Sequence, residues 1–295
     1  MRRLVGAALV LAALSGCAHF DVNEKIWMHP GYAAMASKTQ KQLTDGTGYT
    51  LQSVFFPAAD GTQLHGLLLT KPGNKVCVLY FGGDDFQTGT DGLEAAQLME
   101  KLGVDGLMLD YPGYGESEGK PTLETMKASV LTAYDWLHAQ PAVAGTSIVV
   151  HGFSLGSILA PYVADNRPVS GLVLESTATD VPDWANNFVP WYAWPFVSVR
   201  IDPPLLQVSN MDALKAYRGP LFLVVGDEDD ITPPRFSKVL YAVSATPAAE
   251  KRLYVVKDQI HGSALHDAGA QEQYRQFLDD IVGAPAKPIA PAGPK

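Results

Sequence analysis

Apolar positions along this chain change period repeatedly. From about residue 50, short β-rich apolar runs alternate with stretches of helical period, the pattern of a mostly parallel sheet with helices on both faces. The runs predict strands over 50–56, 63–70, 76–81, 106–110, 147–151, 170–175, 220–225 and 252–257. Helical periods between them predict helices over 91–102, 122–139, 154–165, 234–243 and 268–281, several with Gly or Pro at their ends. The fold class is therefore α/β, with an eight-stranded sheet. One segment breaks the rhythm: 177–209 interleaves Trp184, Phe188, Trp191, Tyr192, Trp194 and Phe196 with five prolines, and reads as a small lid insertion or as a packed excursion.

The ends of the chain follow other patterns. Leu4 to Leu14 is an apolar run behind Arg2 and Arg3, too short for a certain membrane span and laid out as a signal peptide. It ends in Leu14, Ser15, Gly16 and Cys17, which resembles the lipobox of bacterial lipoproteins. That resemblance implies a leader over 1–16, a diacylglycerol on Cys17 and a lipid anchor in the bacterial cell envelope, at the outer membrane or the periplasmic face of the inner one. Residues 17–48 are expected to be a spacer with one short helix and 49–282 the main domain. The Pro- and Ala-rich tail 283–295 cannot bury enough apolar area to fold.

A length of 295 residues with 47% hydrophobic content is enough for one sizeable core. Net charge is −9, and loss of Arg2 and Arg3 with the leader takes it to −11. With no Lys/Arg cluster to track phosphates, nucleic acid is excluded as an expected partner. With Cys17 lipidated, the other cysteine, Cys77, has no disulfide partner and reads as a buried core thiol.

The most informative stretch is SIVVHGFSLGSILA, residues 147–160. A β-branched strand runs straight into Gly152, Phe153, Ser154, Leu155 and Gly156 and then a helix, the context that a G-x-S-x-G nucleophile turn requires. Such a turn strains the serine backbone and needs small residues two before and two after it. The following helix aims its positive end at the site. Serine needs a base, and the base an orienting acid. LFLVVGDEDDITPP closes a strand with Asp227, Glu228, Asp229 and Asp230, of which one can face a histidine. LYVVKDQIHGS places His261 on the loop after the last strand, with His266 as competitor at the next helix start.

Four stretches in this order resemble the alpha/beta-hydrolase superfamily, in its esterase-like and serine-aminopeptidase-like branch, over about residues 50–282. Besides the serine turn, Gly226, Asp229 and Pro233 are similar to that family's acid loop. VLYFGGDDF aligns with its His-Gly-X loop, and LDYPGYGESEGKPT is similar to its D-Y-x-G-x-G-x-S-x-G loop. The resemblance implies an alpha/beta-hydrolase fold with Ser154, Asp229 and His261 as a catalytic set. It also implies an oxyanion hole from the N–H groups of Leu155 and Asp84, with Gly83 as neighbour. The chain departs from the family where Gly82 replaces the usual histidine and two acids, Asp84 and Asp85, line the loop. Those acids argue against acidic substrates.

The implied activity is hydrolysis of a carboxylic ester or related acyl bond in a small molecule, with serine peptidase, thioesterase and a non-catalytic binding lipoprotein as alternatives. Metal-ligand spacing and dinucleotide-type Gly loops are not evident, so no cofactor is expected.

Overall fold

The computed structural model describes residues 18–30 and 47–284. The leader, Cys17, residues 31–46 of the expected spacer and tail residues 285–295 lie outside them. Ten strands are formed among the described residues: β1 (Ala18–Val22), β2 (Thr50–Pro57), β3 (Gln63–Thr70), β4 (Val76–Phe81), β5 (Asp105–Leu109), β6 (Ser147–Phe153), β7 (Gly171–Glu175), β8 (Val197–Ile201), β9 (Leu221–Gly226) and β10 (Lys251–Val256). The α-helices are α1 (Glu24–Trp27), α2 (Gly92–Leu102), α3 (Leu123–His138), α4 (Gly156–Asn166), α5 (Val181–Asn187), α6 (Asn210–Ala216), α7 (Pro234–Val243) and α8 (Ala268–Gly283).

Eight strands hydrogen-bond in the order β10-β9-β7-β6-β4-β5-β3-β2. From β10 to β5 all neighbours are parallel, while β3 is antiparallel to both β5 and β2. Every residue of β5, β7 and β9 is buried, as their unbroken apolar runs require of strands covered on both faces. Edge strand β2 is mostly exposed. Helices are stopped by ordinary signals: Thr122 and Thr125 form a capping box ahead of α3, and Gly103 closes α2 at φ 73°.

The chain passes from β4 to β5 on one side, then returns across β4 to β6 on the other. In an open parallel sheet such a divergence leaves a crevice at the carboxyl ends of the two central strands. The loops after β4 and β6 meet there.

Two parts add to the sequence-based expectation. Residues 18–30 hold the expected short helix, α1, but are a structured strap: β1 precedes α1, and Val22, Trp27 and Met28 are buried in the core on the α3/α4 face. The strap folds because β1 has a partner far along the chain. It pairs in parallel with β8, from Ala18 beside Val197 to Val22 beside Ile201. The segment over 177–209 is an ordered excursion containing α5 and β8, and an antiparallel bridge between Asp180 and Ser209 closes its neck.

Candidate active site

Ser154 sits on the turn between β6 and α4 with φ 50°, a left-handed backbone that a non-glycine residue adopts only under constraint. The constraint is steric. A Cβ on Gly152 would meet the Gly156 carbonyl oxygen at 2.2 Å, and one on Gly156 would meet the Phe81 carbonyl oxygen at 2.1 Å. Only glycines allow α4 to start this close to β6 and β4. The turn is pinned by the Ser154 N–H donating to the Glu175 carbonyl and the Gly156 N–H to the Gly82 carbonyl, each at 3.0 Å.

Ser154 Oγ is 3.0 Å from His261 Nε2, and His261 Nδ1 is 2.9 Å from Asp229 Oδ2. The two contacts use opposite ring nitrogens, so one imidazole bridges hydroxyl and carboxylate. Nδ1 bound to a carboxylate carries the proton, which leaves Nε2 as an acceptor toward the serine. His261 lies on the loop after β10, with the Phe153 ring 5.2 Å from its own, and Gly262 at φ 79° turns the chain behind it.

Burial selects among the four acids after β9: Asp229 is buried, whereas Asp227, Glu228 and Asp230 are exposed. Asp229 Oδ1 accepts from the N–H groups of Ile231 at 3.0 Å and Thr232 at 2.7 Å, and Oδ2 accepts from the Thr232 hydroxyl at 2.8 Å. Burial alone would raise this carboxyl. The hydrogen bond and charge of His261, with the Thr232 donors, outweigh it and hold Asp229 below the ordinary carboxylate value. His266 is turned outward onto Glu94.

Asp84 and Leu155 line the cavity that contains Ser154. Among the described residues, no acceptor takes the N–H of either. Gly83 faces the other way, its missing Cβ directed at the Phe153 ring 3.0 Å off. The family's histidine has no room at Gly82, because a Cβ there would fall 2.3 Å from Phe86 Cβ. The loop is held by a different histidine. The His29 N–H donates to the Asp84 carbonyl at 3.0 Å, and His29 Nδ1 lies 2.9 Å from Asp84 Oδ2. The Tyr114 hydroxyl donates to the same carbonyl at 2.9 Å. Burial, and after it the neighbouring Asp84, raise the Asp85 carboxyl above its ordinary value.

The cavity, about 230 Å³, is lined beside Ser154 by Phe20, Trp27, Ile158, Trp184 and Phe188. Two of these come from the strap, one from α5, and Phe188 is the residue that closes α5. Sequence reasoning missed the strap residues and His29, since contacts across 55 or more residues leave no local pattern. Elsewhere Asp110 of the D-Y-x-G-x-G loop is fully buried, accepts from Thr88 and meets His65 at 2.7 Å, which fastens β5 to β3. Among the described residues, no three His, Cys, Asp or Glu side chains converge to hold a metal ion.

Comparison with known proteins agrees with this fold. The chain is 30% identical over 235 residues to an uncharacterized protein of Mycobacterium tuberculosis, covering 78% of this chain and 80% of that one. It is 28% identical over 206 residues to the alpha/beta hydrolase domain-containing protein WAV2 of Arabidopsis thaliana, covering 66% of this chain and 67% of the relative. The chain has the alpha/beta-hydrolase fold, and its likeness to WAV2 supports that superfamily. Also similar is the lysophosphatidylserine lipase ABHD12 of Xenopus tropicalis, 24% identical over 266 residues, or 83% of this chain and 67% of that protein. Among solved structures, the Pyrococcus furiosus esterase Pf2001 superposes with a TM-score of 0.69 at 17% identity, over 87% of this chain and all of the esterase. No family model matches the chain.

Proposed function

We propose that this alpha/beta-hydrolase is a serine hydrolase that cleaves a carboxylic ester carrying an apolar acyl group. The observation that carries the reading is the unbroken line from Ser154 Oγ through both nitrogens of His261 to Asp229, opening onto an apolar cavity. In the first half-reaction His261 Nε2 takes the Ser154 proton as Oγ bonds to the acyl carbon. The carbonyl oxygen gains the negative charge and lies toward the Leu155 and Asp84 N–H groups and the N-terminal end of α4. His261 then gives its proton to the departing alcohol, leaving an acyl group on Ser154. Water, deprotonated by the same nitrogen, releases the acid. Asp229 fixes the ring and balances its transient positive charge.

An ester is favoured over a peptide because, among the described residues, the one carboxylate lining the cavity, Asp84, is hydrogen-bonded to His29, and the remaining lining side chains outside the triad offer no charge for a peptide terminus. A lipase and an esterase among the similar proteins support the same chemistry. The sequence Leu14, Ser15, Gly16, Cys17 supports lipid anchoring in the bacterial envelope. Labelled palmitate is expected to enter the wild-type protein and not Cys17→Ser.

The test of substrate class is a series of p-nitrophenyl esters of rising acyl length beside aminopeptidase and acyl-CoA substrates. The reading predicts ester turnover with an optimum at medium or long acyl chains. Faster cleavage of the amide or thioester substrates would contradict it.

A further inference from the structure

The excursion carries a feature that the hydrolytic reaction does not use. Between α5 and β8 the chain turns outward and exposes Trp191 at 78%, Tyr192 at 53%, Trp194 at 64% and Phe196 at 53%. No charged residue occurs from Phe188 to Val199. The Trp194 indole N–H is satisfied internally by the Val189 carbonyl at 3.3 Å, and the Trp191 and Tyr192 rings pack edge to face at 5.9 Å. An exposed, uncharged cluster of four aromatics is unfavourable in water and suits the region where acyl chains meet headgroups.

The course of the chain says what covers it. Parallel pairing sets Ala18 beside Val197, so the strap begins next to Phe196, at the base of the aromatic tip. The sequence leading into Ala18 is the apolar run Leu4 to Leu14 and Cys17. A lipid on Cys17, or the apolar run itself, would therefore be tethered one residue from the tip. The tip also adjoins the cavity, because Trp184 of α5 and Phe188 at its end line the walls and Phe188 is the first residue of the uncharged stretch.

We propose that the Trp191–Phe196 tip is a membrane-docking surface that seats in the outer part of a lipid bilayer beside the N-terminal anchor. The enzyme's esters are then acyl lipids drawn from that bilayer past Trp184 and Phe188. The substrate half rests on the hydrolase reading; the docking half does not. With net charge −9, the protein docks through aromatic insertion rather than attraction to anionic headgroups, so zwitterionic membranes suffice.

The test uses the full chain in phosphatidylcholine vesicles, with and without acyl-brominated phosphatidylcholine, beside the double variant Trp191→Ser/Trp194→Ser. Wild-type tryptophan emission is expected to shift to the blue on vesicles and to be quenched by the brominated lipid, and the double variant to lose most of that quenching. Its p-nitrophenyl acetate turnover should match wild type, while hydrolysis of a lysophospholipid in vesicles should fall by roughly tenfold or more. Equal quenching of both proteins, or none in wild type, overturns the docking surface. So does a concentration-dependent dimer that the double variant abolishes without any quenching by lipid, which would make the tip a contact between copies. If quenching follows the tip but neither protein cleaves a p-nitrophenyl ester of any acyl length, the docking surface stands and the hydrolase reading falls.

Discussion

At the scale of single residues, the geometry ranks the members of the site by what each can lose. Replacing Asp229 with Asn keeps the shape but allows the imidazole the wrong tautomer, so turnover should fall by about ten-thousand-fold with KM little changed. The same substitution has a signature in stability. Because Asp229 titrates below its ordinary value of 3.8 in the folded protein, its contribution is present above that value and is lost as pH falls through the lower, folded one. Urea unfolding of wild type and Asp229→Asn should therefore differ most near neutral pH and converge in acid below the carboxylate range; a constant difference would contradict the assignment. Gly156→Ala forces a Cβ to within 2.1 Å of the Phe81 carbonyl, and should destabilise the fold by about 1–3 kcal/mol in denaturant titrations. These residues were legible in the sequence because their constraints are local. Gly152, Ser154 and Gly156 occupy one turn, and Asp229 stands at a fixed distance from Gly226 and Pro233. What separates Asp229 from Asp227, Glu228 and Asp230 is burial, which becomes visible only in three dimensions.

Among elements, the eight strands of the main sheet and the five long helices follow from apolar periodicity, and their observed bounds lie close to the expected ones. The strap and β8 do not follow from it. β1 and β8 are each five residues long and their pairing joins positions more than 170 residues apart, so the energy that orders them is visible in neither sequence alone. Yet β1 and α1 complete the cavity wall and carry His29 to the loop after β4, the proposed oxyanion loop. His29→Ala removes one hydrogen bond to the Asp84 carboxylate, worth about 0.5–1.5 kcal/mol. It should lower kcat about two- to tenfold, with KM nearly unchanged and unfolding midpoint nearly constant. A KM effect alone would show that the strap binds substrate without positioning the loop.

For the molecule as a whole, the sheet divergence between β4 and β6 brings together a serine, an oxyanion loop, an acid and a histidine whose positions span residues 84–261. The strap and the excursion pair with each other, so β1, the base of the aromatic tip and the cavity wall are parts of one structure. If the tip docks as proposed, that arrangement would let chemistry built on a rigid sheet meet a substrate held in a lipid layer. Everything in it turns on Ser154 being a nucleophile activated by His261. A fluorophosphonate probe, followed by peptide mass spectrometry, measures this most directly. The account predicts one adduct on Ser154 in wild type, none in Ser154→Ala, and greatly slowed labelling in His261→Ala; equal labelling of wild type and Ser154→Ala, or an adduct on another residue, would contradict it.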